Sequence, residues 1–233
     1  DGFLQRVTPL VKLLGLFVLV TLTALQRELA TVTALLGLAV GLGIVSRIPI
    51  HTLAGRLIGP PGFAFVVAAP QAVLMDGPAL YSTPISLPGL EYVAVFTVRV
   101  AACVTFLSML LVTTRFRVIV TALRRLGLPP IAVSLLSISY RYLRLFFGEL
   151  KRMVRARRSR TVTDPDLDRT WRDSGHFLGT FLLRSLERGE RVQRAARARG
   201  GTGTPRMGQR EPLGVADLVF AVLVSGVAVA VVL

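Results

Sequence analysis

The sequence is short of the residues that do chemistry. It holds one cysteine, two histidines and 13 carboxylates in 233 residues. Cys103 lies in an apolar run, so a disulfide framework is excluded and the side chain reads as a small packed hydrophobe. His51 and His176 are far apart in sequence, and neither stands beside Cys or carboxylate at ligand spacing, so no metal-ligand set is expected. Asp164, Asp166 and Asp168 imitate the start of a calcium loop, yet Arg169 stands where its glycine is required and Gly175 where its glutamate is. "GGTGTP" (200–205) lacks the preceding strand and the Lys-Ser/Thr ending of a phosphate loop. The chain therefore reads as no enzyme, with no catalytic residue, no metal and no cofactor of its own.

Apolar residues are what it has. They make up 52% of the chain against 18% charged, with a mean hydropathy of +0.62. That is outside the soluble range and fits an all-α polytopic membrane protein. Segments at roughly 10–25 and 29–46, parted only by Gln26, Arg27 and Glu28, predict a tight helical hairpin. Pro49, Pro60, Pro61 and Pro70 argue against one regular helix over 47–75, where interfacial or broken helices are expected. The stretch from Asp76 to Pro88 has no basic residue and suits an outer cap. Residues 91–114 read as a span, in which Arg99 is expected to pair structurally or snorkel, and 215–233 as a terminal span. The chain opens on Asp1 rather than Met, and its first apolar run lacks a cleavage site leading to a soluble domain. It reads as a fragment rather than a secreted protein.

Charge is one-sided. Of 28 Lys and Arg, 22 fall between Arg115 and Arg210, which the positive-inside rule assigns to the cytoplasm. Three regions follow: 1–114 with N-terminal transmembrane helices, 115–210 as a cytoplasmic helical region, and 211–233 as a C-terminal transmembrane helix. The middle region predicts two long helices, about 130–160 and 174–199. The first starts at Pro130; the second is capped by Asp173 or Ser174 and stopped by Gly200-Gly201. Glu187 with Arg191 and Glu190 with Arg194 are spaced as i,i+4 ion pairs. Arg115, Arg117, Arg124 and Arg125 suit anionic lipid headgroups. A nucleic-acid partner is not expected, because the charge borders membrane spans and the basic helices lack interleaved aromatics for stacking.

The most specific signal is an internal echo. "KRMVRARRSRT" (151–161), with five arginines between Arg152 and Arg160, superposes without gaps on "ERVQRAARARG" (190–200), an offset of 199 − 160 = 39 residues. Arg152 matches Arg191, Arg155 matches Arg194, Ala156 matches Ala195 and Arg160 matches Arg199. Small residues beside an arginine permit close approach while the guanidinium reaches out. Two copies imply two similar docking events.

These helices, with "TTRFRVIVTALRRLGLPP" before them, resemble the membrane coupling subunit (T component) of energy-coupling factor transporters, closest to the cobalt/nickel CbiQ/NikQ type. The likeness is strong over about 95–205. Family members carry an Ala-Arg-Gly-like signature at the end of each of two coupling helices. Here the second is Ala198-Arg199-Gly200. The first is Ser159-Arg160-Thr161 by superposition, with Ala156-Arg157-Arg158 as the alternative match. The resemblance implies two ABC-type ATPase subunits as partners, holding the ATP and Mg²⁺, and a substrate-binding S component of the CbiM/NikM kind. It also implies a bacterial or archaeal inner-membrane location, and cobalt, nickel or a vitamin as cargo. The competing readings are a basic membrane anchor binding anionic lipid and a secondary transporter.

Overall fold

The computed structural model describes residues 2–48, 50–75, 86–159, 167–200 and 214–232. The described residues are helical, with no sheet among them. The chain divides into two compact units, one formed by Asp1–Arg125 with Gln209–Leu233 and the other by Leu126–Gly208.

In the first unit α1 (Phe3–Arg6) leads into α2 (Pro9–Leu25), where Pro9 occupies the first turn and needs no amide hydrogen there. After the Gln26–Glu28 break comes α3 (Leu29–Val45), so the hairpin forms as expected. It ends in a Schellman motif: Arg47 N–H donates to the Ile44 carbonyl and Ile48 N–H to the Gly43 carbonyl. Arg47 takes φ +53 at a position where glycine is usual.

α4 (Ile50–Ala68) and the short α5 (Gln71–Leu74) follow, so the segment is broken as expected, but the break falls at Ala69 and Pro70 and not at Pro60 and Pro61. The helix runs straight through Pro60 and Pro61. Each proline removes one N–H, so two carbonyls a turn earlier lose their donors. That cost is offset by packing: α4 lies along α6 (Leu87–Thr113), burying Ala64 and Ala68. In a membrane setting, neighbouring helices make such prolines tolerable.

α6 is the hub, packing against α2, α3, α4 and α5, while α10 (Val215–Val232) packs on α2. Ser86 caps α6 by accepting a hydrogen bond from Gly89 N at 3.2 Å. The core joins Leu16 and Leu19 of α2, Ala39 and Leu42 of α3, Phe106 and Met109 of α6, and Phe220 and Val224 of α10. α6, with 27 residues, is the one described helix long and apolar enough to cross a membrane by itself. Pro9–Leu25, Leu29–Val45, Ile58–Leu74 and Val215–Val231 are shorter apolar helices. Phe17, Leu25, Ile44, Phe63 and Val66 point outward and exposed, an arrangement that lipid accepts and water does not. The unit is an all-α membrane bundle.

Polar side chains pin both ends of that bundle. At one end Asp217, only 4% exposed, accepts from Thr8 N (2.5 Å), Thr8 Oγ1 (2.6 Å) and Gly214 N (2.8 Å). Beside it Lys12, 2% exposed, donates to Thr114 Oγ1 at 3.4 Å. At the other end Arg99 Nη2 donates to the Gln26 carbonyl at 2.5 Å, placing a cation at the C-terminus of α2. Gln26 Nε2 in turn donates to the Val231 carbonyl of α10 at 3.3 Å. Arg99 thus takes the structural pairing role.

Gly15 lets α2 and α10 meet: a Cβ there would lie 2.4 Å from a ring carbon of Phe220. Gly15→Val is expected to destabilise the protein by about 1–3 kcal/mol through overpacking. A Gly15→Val/Phe220→Ala double variant should lose less than the sum of the two single losses, because the shorter side chain relieves the clash. Thermal unfolding in detergent reads both effects; additive losses would mean the two residues do not touch.

Candidate functional site

The second unit carries two long basic helices. Two earlier features set the first of them up: α7 (Phe116–Arg125) closes the membrane unit, and Gly127 at φ +98 turns the chain. α8 (Pro130–Arg158) then starts on a proline already set for the first helical turn. It runs 29 residues without another proline.

α9 (Leu167–Ala198) starts seven residues before the expected Ser174 cap and passes through Asp173 and Ser174. The residues from Leu167 to Asp173 include no proline and no glycine, so nothing stops the helix from propagating back through them. A good capping residue begins a helix only where its predecessors refuse to join it.

The end of α9 holds Ala198, Arg199 and Gly200, and the last turn of α8 holds Ala156 and Arg157, with Ser159 at its cap. α9 stops as its sequence dictates: Arg199 N donates to the Ala195 and Ala196 carbonyls at 3.3 and 3.2 Å, and Gly200 N to the Arg197 carbonyl at 3.0 Å. Gly200 adopts φ +66, a conformation that costs glycine nothing. Ala198 is therefore the last helical residue and Arg199 projects beside the stop, both exposed. No ion pair engages Arg199 among the described residues.

On α8 the helix ends one position earlier in the 39-residue register. Ser159 sits at the cap, its N–H donating to the Arg155 carbonyl at 3.1 Å and its hydroxyl to the Ala156 carbonyl at 3.0 Å. Serine competes for helix carbonyls in a way that Ala198 cannot, which accounts for the shift. Ala156 is exposed and Arg157 half-buried within the last turn of α8. Arg160 and Thr161 lie outside the described residues, as do Asp164 and Asp166.

α8 and α9 meet at a small crossing. Phe146 and Phe181 contact edge to face, with centroids 6.0 Å apart at 77°. One turn along, Glu149 bridges the two helices: Oε2 accepts from Arg152 Nη2 at 2.6 Å and Oε1 from Arg184 Nη1 at 3.4 Å. The Arg152 hydrogen bond, aided by the charges of Arg152, Arg184 and Arg188, holds the Glu149 carboxyl below its usual range. Glu187 and Arg191 form their i,i+4 pair at 3.7 Å, whereas Glu190 and Arg194 do not pair. Sequence reading missed Glu149, because its partner lies 35 residues away on another helix.

Away from the crossing, both helices show apolar faces. Leu178, Leu182 and Leu186 recur at fourfold spacing on α9, each about 60% exposed, and Leu136, Leu143 and Phe147 are exposed on α8. Among the described residues no three His, Cys, Asp or Glu side chains gather to hold a metal ion.

Because the Glu149 carboxyl titrates below its unfolded value, its contribution to the crossing is full above the ordinary carboxylate range. It is lost as pH falls through the depressed value. Distances between spin labels at positions 143 and 178 should broaden only in that acidic range. In Glu149→Gln they should already be broad at neutral pH. A distribution indifferent to both changes would show that Phe146 and Phe181 alone hold the helices.

Comparison with known proteins adds two findings. The model of a family described as CbiQ, cobalt transport protein, matches residues 2–209. An uncharacterized protein of Methanocaldococcus jannaschii is 26% identical over 232 residues, covering 94% of this chain and 78% of that protein.

Proposed function

This chain belongs to the CbiQ family of cobalt transport proteins, and on that footing we propose that it is the energy-coupling T subunit of an ATP-driven importer of the energy-coupling factor type. Its cargo is cobalt or nickel. In this reading the basic 115–210 region faces the cytoplasm of a bacterial or archaeal cell, and the ends of α8 and α9 each dock on one ABC-type ATPase. The ATP and Mg²⁺ belong to those ATPases. A separate S component of the CbiM/NikM kind carries the metal and lies against the apolar faces of α8 and α9.

The observation that carries this reading is the repeated helix end. Ala198-Arg199-Gly200 presents an exposed arginine just where a left-handed glycine stops the helix. In sequence an arginine recurs 39 positions earlier, in Ser159-Arg160-Thr161, which differs from the second copy at both flanking positions, with Ala156-Arg157-Arg158 as the alternative match. Arginine suits docking into a groove, since its planar fork makes paired hydrogen bonds to carboxylates or carbonyls and keeps its charge when partly buried. Flanking alanine and glycine let the partner backbone come close. When ATP closes the ATPase pair, the two helix ends are drawn together, and the small crossing at Phe146 and Phe181 allows the helices to swing. The S component resting on their apolar faces is then reoriented.

Co-purification with candidate ABC ATPases from detergent tests this. Arg199→Glu and Arg160→Glu should each weaken the complex by roughly thirtyfold or more, as interface hot spots do, and the double variant should abolish it. Arg157→Glu decides between the two candidate first arginines. If wild type and all variants co-purify alike, the arginines do not dock the ATPases.

A further inference from the structure

The sequence holds no Asp or Glu between Glu91 and Glu149, while seven arginines fall in that interval. Two of them, Arg115 and Arg117, flank the start of α7. No carboxylate neighbours them in sequence, and among the described residues no ion pair engages Arg115 or Arg117. In their own unit, the Asp217 carboxylate is already bound by Thr8 and Gly214.

Position points to the kind of anion that these arginines would meet. Arg115 comes two residues after Thr113, the last residue of the apolar 27-residue helix α6, so it sits where a membrane span gives way to the headgroup layer. α7 itself is sharply two-sided. Val120 and Ala122 are buried and the helix packs on α2, whereas Arg115, Phe116, Arg117 and Thr121 are exposed. A short two-sided basic helix with an exposed aromatic, directly following a span, has the form of an interfacial element.

We propose that Arg115 and Arg117 at the start of α7 form a binding site for an anionic phospholipid, whose phosphate lies against the two guanidiniums. The guanidinium fork matches phosphate oxygens in geometry and charge, and Phe116 beside them reaches toward the acyl chains. The phosphate is common to all phospholipids; the absence of a headgroup cation that neutralises it distinguishes an anionic lipid here from general contact with zwitterionic lipid. The site is independent of the ATPase-docking arginines on α8 and α9.

Native mass spectrometry of the full chain in neutral detergent tests the site, with phosphatidylglycerol and phosphatidylcholine of the same acyl length as probes. The first phosphatidylglycerol should bind more tightly than phosphatidylcholine. Arg115→Gln/Arg117→Gln should weaken it about thirtyfold, while Arg115→Lys/Arg117→Lys keeps most of the preference. A control pair on α8, Arg144→Gln/Arg155→Gln, should leave the first lipid within about threefold of wild type, well short of that loss. Excess inorganic phosphate should not displace the lipid; displacement would mean a site for a soluble anion and would sink the proposal. So would equal binding of the two lipids by wild type, a measurement that needs no variant to fold. Equal losses from the α7 and α8 pairs would also overturn it, by making the effect one of overall charge.

Discussion

Every backbone N–H and C=O that enters hydrocarbon must find its partner inside the protein, and this constraint organises the first unit. Helices meet it along their lengths, but their ends do not. The bundle solves the end problem with the few polar side chains it has. Arg99 reaches the carbonyl at the end of α2, Gln26 reaches the end of α10, and Asp217 collects the amides of Thr8 and Gly214. Along the helices, hydroxyls fold back on their own chain: Thr23 on the Leu19 carbonyl, Thr97 on Val93 and Thr105 on Ala101. Among the described helices α6 alone is long and apolar enough to span by itself, and α2, α3 and α4 pack against it while α10 packs on α2. Pro60 and Pro61 survive in α4 through that packing.

The second unit follows a different logic. α8 and α9 are amphipathic rather than apolar, and they share few contacts besides one aromatic pair and one bridging carboxylate. Helices of 29 and 32 residues span about 45 Å each, so the crossing occupies a small part of their length. α9 ends on a small residue, an arginine and a glycine, Ala198-Arg199-Gly200, so the turn that stops the helix also sets Arg199 relative to the helix axis.

Much of this was legible in the sequence. The hairpin over α2 and α3 followed from two apolar runs parted by three polar residues, and the end of α9 from Gly200. Family membership showed in the arginine echo. Two features escaped because local rules lost to packing. α4 persists through its prolines because α6 supports it, and α9 begins at Leu167 because nothing before Ser174 opposes a helix. Glu149 escaped because contacts across 35 residues leave no periodic trace. Asp217 had a faint signal, since Gly214 and Asp217 stand at the spacing of a capping box, but its bond to Thr8 joins opposite ends of the chain.

The docking of both helix ends on ATPases is the central claim, and photo-cross-linking in intact membranes addresses it most directly. A photoreactive residue placed at position 198, and separately at 156, should capture an ATPase subunit from each site, with capture enhanced when ATP closes the pair. Capture of lipid alone, or of an ATPase from one position and never the other, would contradict two-helix docking.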